Sequence, residues 1–389
     1  MTVGPTIFIS TGEASGDLHG AKVATALRQR HSDCRIVGMG GGRMRAAGVE
    51  LVVDNADIGV VGLWEVLAHG RAIWRAYRTL KSWLVANRPD VVVLVDYPEF
   101  HFQVARLSKR LGLRVVYYIS PQIWAWRRGR LRTLARLVDQ MIVILPFEVE
   151  LYRSAGVPCV LVGHPLLDEL ESAPDRTAVR AAWGIPPSRT VLSLFPGSRV
   201  AEVRRHLPVM LGAVERLTRQ RPDVTVLLAE ATTVPREEFE SYLKSTTVSI
   251  IVKRGEPTAT LAAADAVLVA SGTITLQAAL LQVPMIIMYK VALLTWIIAR
   301  TLVRVPHAGL PNLIAGESIV PELLQSAASP AAIHAVLVSW LDDPHRLDLI
   351  RKQLAGVRDR LGEPGGSAAA AAVILQWAER AVAQERNVT

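Results

Sequence analysis

Four short segments set reactive side chains beside small residues, each just after an apolar run. The first is Ser10-Thr11-Gly12-Glu13-Ala14-Ser15-Gly16-Asp17. Gly12 and Gly16 let backbone approach a ligand closely, and a helix that starts here offers free N–H groups to an anion. Glu13 and Asp17 stand at that helix start. Acids at a helix start also suit the macrodipole with no ligand at all. The second is Asp96-Tyr97-Pro98-Glu99-Phe100, behind four valines and a leucine. An acid past such a run lies at the carboxyl edge of a sheet, where Asp96 can act as general base toward a hydroxyl or simply cap the next helix. In Pro196-Gly197-Ser198-Arg199, Gly197 permits a sharp turn, Ser198 can bond a phosphate and Arg199 can fork onto its oxygens. This is a phosphate cradle without a Walker A loop, since no G-x-x-x-x-G-K-[ST] occurs. The fourth, Ser271-Gly272-Thr273, begins another helix. Gln277, one turn beyond Thr273 on the same face, is within reach of ribose hydroxyls. A buried turn that packs helix on sheet accounts equally well for those small residues.

Such groups need elements to hold them. Apolar runs predict strands at 6–10, 35–39, 91–95, 114–118, 140–144 and 159–162, with helices at 17–29, 63–86, 100–110, 129–137 and 148–155. After a charged, proline-bearing stretch the alternation restarts, with strands at 190–194, 224–228, 248–252, 266–269 and 285–289 and helices at 201–220, 236–243 and 273–281. Alternation of this kind predicts parallel sheets covered on both faces. The expected fold is α/β, with two Rossmann-like parallel-sheet domains facing a cleft. The expected boundaries are 1–165, a linker at 166–189, a second domain at 190–345 and a helical tail at 346–389.

The chain has 389 residues, 50% hydrophobic and 20% charged, with a formal net charge of +9. That excludes intrinsic disorder and suggests two domains. The charge is uneven: residues 1–165 carry +8 and residues 166–389 carry +1. An anionic partner is therefore expected at the first half. Two cysteines, Cys34 and Cys159, are too few for a disulfide scaffold and suit a reducing compartment. No signal peptide is expected from the opening residues. The uncharged stretch 266–289 holds Ser271, Gln277, Gln282 and Pro284 and reads as strand, helix and strand, not a membrane span.

Other classes fall away. A dinucleotide-binding dehydrogenase wants an acid at the end of its second strand, where this chain has Gly38-Met39-Gly40-Gly41-Gly42. Arg127, Arg128, Arg130, Arg132 and Arg136 cluster, but with no nucleic-acid motif around them, so no nucleic-acid partner is expected. The histidines form no metal pattern, and His164 is expected to order the boundary. One amphipathic stretch sets Leu63, Val66 and Leu67 against Arg71, Arg75 and Arg78 and follows the apolar Val60-Val61-Gly62-Leu63-Trp64. Val60, Val61, Leu63, Trp64, Val66 and Leu67 are expected to form a membrane-contacting lip, with the arginines on anionic headgroups. A second basic amphipathic stretch spans 291–310. Ordinary surface helices explain both stretches as well.

With these segments in view, the chain resembles the lipid-A-disaccharide synthases. The resemblance runs through Gly12-Glu13-Ala14-Ser15-Gly16-Asp17, Asp96-Tyr97-Pro98-Glu99-Phe100, Ser120-Pro121-Gln122-Ile123-Trp124, Leu145-Pro146-Phe147-Glu148, Gly163-His164-Pro165, Pro196-Gly197-Ser198-Arg199, Ser271-Gly272-Thr273 and Leu310-Pro311-Asn312. It implies an inverting glycosyltransferase of the GT-B fold, acting without metal or cofactor. The implied donor is UDP-2,3-diacylglucosamine and the implied acceptor 2,3-diacylglucosamine 1-phosphate. A place at the cytoplasmic face of the anionic inner membrane is also implied, and a homodimer is admitted. Gly197, Ser198, Arg199, Ser271, Gly272, Thr273, Gln277 and Asn312 become nucleotide-side residues, Ser15, Gly16 and Asp17 acceptor-side residues, and Asp96, Arg199 and Glu13 catalytic candidates, with Glu13 and Asp17 in reserve as base or to orient the acceptor or the reacting ring. Related enzymes carry Glu at the position of Gln277. The alternatives are another UDP-sugar transferase, a UDP-sugar 2-epimerase, or a non-catalytic nucleotide-sugar binder.

Overall fold

The run Val91–Val95 leaves no polar face for water, and all five residues are buried. Strands of this kind need cover on both faces, which parallel sheets with crossover helices provide. The computed structural model describes residues 4–55, 70–123, 128–302 and 305–386, and it holds two such sheets. The chain divides into a first unit of Met1–Pro165 with Gly362–Thr389 and a second of Leu166–Leu361.

Among the described residues, the first unit contains β1 (Thr6–Thr11), β2 (Arg35–Gly40), β3 (Glu50–Asp54), β4 (Val91–Val95), β5 (Arg114–Tyr118), β6 (Gln140–Val143) and β7 (Cys159–Leu161). They pair in the order β3-β2-β1-β4-β5-β6-β7. The second contains β8 (Thr190–Phe195), β9 (Val224–Glu230), β10 (Ile250–Arg254), β11 (Ala266–Ala270), β12 (Met285–Tyr289) and β13 (Glu322–Leu324), in the order β10-β9-β8-β11-β12-β13. Each order reverses once, between β1 and β4 and between β8 and β11. Ligands of open parallel sheets bind at the carboxyl ends beside such a switch point. All four motifs lie at these two places.

Strand alternation sorts the core of the first unit. Phe8, Val92 and Leu94 pack with Leu80, Leu84, Phe102 and Tyr152 on one face. Ile7, Ile9, Val91, Val93 and Val95 pack on the other with Val23, Leu27, Ala371 and Ile374. The last two come from the helix Gly366–Arg386, which returns from the second unit to complete the first. Its entry is tight: a Cβ on Gly366 would stand 2.8 Å from the carbonyl oxygen of Gly163.

Two expectations about organisation differ from this. Residues 166–189, expected as a linker or hinge, carry all but the first residue of the helix Pro165–Leu170 and the whole of Arg176–Ala182, and they fall in the second unit. The acid that read as linker is a helix cap, with Asp175 accepting the N–H of Ala178 at 2.9 Å. Buried Arg180 then ties its helix down, donating to the Ala263 carbonyl and to Asp265, both at 2.8 Å. The tail likewise splits, because Pro344–Arg360 stays in the second unit and only Gly366–Arg386 crosses back. The amphipathic helix is described from Gly70 to Asn87, so Val60, Val61, Leu63, Trp64, Val66 and Leu67 lie outside the described residues.

Candidate active site

In the first unit, β1 and β4 deliver Glu13 and Asp96 to one edge. Asp96 takes the left-handed conformation (φ 49°), and so does Tyr97 (φ 51°). The N-cap of the helix Pro98–Arg110 is Tyr97 and takes no side-chain cap bond, so the Asp96 carboxylate does not serve as its cap. Burial raises the Asp96 pKa to about 6 against a lowering bond from the Tyr97 backbone, and the nearby charge of Glu13 raises it further. A carboxyl in that range changes state near neutral pH, as a general base requires. Glu13 is exposed. Gly12 is needed for a close approach, since a Cβ there would fall 2.1 Å from the Tyr97 ring.

The acceptor candidates separate. Ser15 is exposed beside Glu13, while Gly16 is buried, where a Cβ would press on Thr11 at 3.2 Å. Asp17 faces inward. Its carboxylate accepts the N–H groups of Gly41, Arg43 and Met44 at 2.7, 3.0 and 3.1 Å. It therefore caps the short helix Gly42–Ala46. The same glycine run that argued against a dinucleotide site supplies the amides it caps.

In the second unit, a pocket of about 560 Å³ opens at the switch point. Gly197, Ser198 and Arg199 line it from β8, and Ser271, Gly272, Thr273 and Gln277 from β11. Positive φ at Gly197 (126°) turns the chain sharply, while buried His206 anchors the loop by donating Nδ1–H to the Pro196 carbonyl at 2.8 Å. Thr233 also fixes this loop, donating its hydroxyl to the Ser198 carbonyl at 2.7 Å. Arg199 is exposed and pairs with Glu202. Asn312 is not in the lining. Fully buried, it donates to Val320 and Glu322 and accepts from Ile319 and Val320, so all its bonds staple residues 312–322 together.

The sequence reading missed Glu202, Thr233 and Lys253, which line the same pocket. Glu202 accepts the Ser198 N–H at 3.0 Å and approaches Arg199 at 3.4 Å, so a carboxylate sits on donors that suit phosphate oxygens. Its spacing, three residues after Arg199 on a helix, was a readable signal. Thr233 and Lys253 reach the pocket only through sheet order and had no local signal.

A family model described as lipid-A-disaccharide synthetase matches residues 7–369. The chain belongs to the lipid-A-disaccharide synthetase family. A synthase of that name from Geobacter metallireducens is 44% identical over 370 residues, covering 95% of this chain and 96% of its own. One from Syntrophus aciditrophicus is 45% identical, with 95% and 97% covered. Among solved structures, the glycotransferase of kitacinnamycin aligns with TM-score 0.65 at 16% identity, covering 97% of this chain and all of its own. A calicheamicin glycosyltransferase gives 0.63 at 16% identity, with 98% and 99% covered. Those structures show the fold, the two-Rossmann-unit GT-B fold. Among the described residues, no helix is long and apolar enough to cross a membrane.

Proposed function

We propose that the chain transfers the sugar of UDP-2,3-diacylglucosamine to the 6-hydroxyl of 2,3-diacylglucosamine 1-phosphate, giving the β(1→6)-linked lipid A disaccharide 1-phosphate and UDP. Family membership supports the reaction class. The observation that carries the donor half is the pocket at the second switch point, lined by Ser198, Arg199 and Gln277. In this reading the amides of Gly197 and Ser198 and the Arg199 guanidinium take the charge that develops on the departing diphosphate. Backbone at Ser271, Gly272 and Thr273 lines the nucleotide, and Gln277 faces the ribose.

Inversion needs a base on the face opposite the leaving group. Asp96 accepts the 6-hydroxyl proton as that oxygen bonds the anomeric carbon and the bond to UDP breaks. Glu13 holds the acceptor or the reacting ring, and serves as the reserve base. Each buried methylene is worth about 0.8 kcal/mol, so acylated sugars are costly to carry through water. The enzyme therefore meets them on the anionic inner-membrane surface. Exposed Arg71, Trp74, Arg75 and Arg78 on the helix Gly70–Asn87 support this, with Arg78 over the Trp74 ring at 4.7 Å. Replacing the three arginines with Ser is expected to weaken binding to anionic vesicles while leaving the fold intact. Undiminished binding moves the contact to Leu293 and Ile297, both exposed.

Incubation with both acylated sugars, read by mass spectrometry, tests the reaction. A tetraacyl disaccharide phosphate and equimolar UDP are expected. UDP release without acceptor, or inversion at C2 of a UDP-sugar, overturns the proposal.

A further inference from the structure

The reading of Asp96 as base leaves a question. A non-glycine residue holds φ > 0 only where its surroundings over-determine it. Here two such residues are consecutive, Asp96 and Tyr97, and a third, Ile119 (φ 59°), ends the neighbouring strand β5. Two buried side chains converge on a single atom of this strained turn, the carbonyl oxygen of Asp96. The His101 ring nitrogen Nδ1 lies 2.6 Å from it and the Tyr117 hydroxyl 2.7 Å. Both residues are fully buried.

A carbonyl only accepts, so Nδ1 must carry the proton. Burial pushes the His101 pKa down to about 4 against a raising bond from Asp96, so the ring is neutral and its Nε2 is an acceptor. Its partner is the Ser10 hydroxyl at 2.9 Å. Ser10 lies on β1, just ahead of the loop that carries Glu13. One imidazole thus joins the two loops that hold the two acids, and each of its nitrogens has one defined role. We propose that His101 and Tyr117 are positioning residues: by holding the Asp96 carbonyl they keep the left-handed turn and so aim the Asp96 carboxylate at the acceptor hydroxyl. Neither touches substrate.

The proposal rests on Asp96 being the base. The titratable and charged groups around the turn and its two anchors are Glu13 from the first loop, Tyr97 on the turn, Tyr117 from β5, Tyr152 beside Tyr117, and Glu99 and Arg130, which pair at 2.8 Å. His101 and Tyr117 stay uncharged near neutral pH, so their effect on the pH profile acts through geometry.

The test uses steady-state kinetics of the full chain with both acylated sugars. Tyr117→Phe keeps the ring and removes only the bond. It is expected to lower kcat about tenfold with the KM for the UDP-sugar unchanged, and to shift the acid limb of kcat below pH 6 as the freed carboxyl meets water. His101→Asn puts an amide N–H near the place of Nδ1, and His101→Gln puts one near Nε2. The Asn variant is expected to keep most of kcat and the Gln variant to lose about tenfold. Equal activity of the two, or the reverse order, overturns the proposal, as does a Tyr117→Phe variant with parental kcat and acid limb. Should either histidine variant fail to fold, Tyr117→Phe alone decides. Asp96→Asn in the same assay separates the two levels. If it stays active the base assignment fails and the positioning role with it. If it is inactive while the positioning variants match the parent, only the present inference fails.

Discussion

In the first unit His101 donates Nδ1–H to the Asp96 carbonyl, and in the second His206 donates Nδ1–H to the Pro196 carbonyl, at 2.6 and 2.8 Å. Each histidine lies on the helix after its switch-point strand, and each accepts at Nε2, from the Ser10 hydroxyl and from the Lys290 N–H. Burial lowers both pKa values, which keeps both rings neutral. The anchoring is therefore alike, but what it anchors differs. In the first unit the positive φ values just past β4 and β5 belong to Asp96, Tyr97 and Ile119, whereas in the pocket of the second unit they belong to Gly197, Gly255 and Gly272. A side chain must be present where a carboxylate is aimed, and a left-handed non-glycine costs about 1–3 kcal/mol. Where backbone amides must meet a ligand, glycine gives the same turn without that strain. One edge is built to direct a side chain and the other to expose main chain.

If that contrast is right, Asp96→Asn is the most damaging change. It should bind UDP normally and lose roughly 10²–10⁴-fold in turnover, the usual contribution of a positioned base. Full activity would leave the first edge without a directed group and transfer the base role to Glu13.

On the second edge Arg199→Ala should cost roughly 100-fold in kcat, because its contact strengthens as the leaving group gains charge. Near-normal kcat would mean that the amides alone bear the diphosphate, which sharpens the contrast but sinks the assignment of Arg199.

A smaller effect is expected at Glu202, whose carboxylate competes for the Ser198 amide and Arg199. Glu202→Gln should tighten UDP binding about threefold, the scale of an exposed ion pair. Calorimetry reads this, and weaker binding would make Glu202 a loop brace only.

The smallest shift concerns pH. Asp96 must be ionised to accept a proton, and its pKa is raised to about 6 by burial, with a raising contribution from Glu13. Turnover should therefore fall as pH drops through about 6. Glu13→Gln removes a like charge, so the limb should move down by roughly half a unit. An upward move would contradict the proximity of the two acids.

The sequence by itself determined the layered α/β architecture and the four turns that carry the chemistry. Unbroken apolar runs such as Val91–Val95 can be satisfied only inside a covered parallel sheet, and glycine, acid and arginine just past a strand mark its carboxyl edge. Side-chain direction was not legible. Asp17 and Asn312 have suitable residue types in suitable motifs, yet both accept main-chain N–H groups: Asp17 from a segment about 25 residues on, Asn312 from the turn seven and eight residues on. His101 is the converse. Locally it is a polar residue between Phe100 and Phe102 on a helix whose apolar face is buried. Asp96 lies just ahead of its helix, but only the pairing of β4 with β1 and β5 brings Ser10 and Tyr117 to the same place. Strand order also decided the boundary: the helix Gly366–Arg386 reads as a tail along the chain, but its alanine face completes the first unit. Periodicity reports which faces are apolar, whereas contacts across tens or hundreds of residues exist only once the sheet has chosen its order.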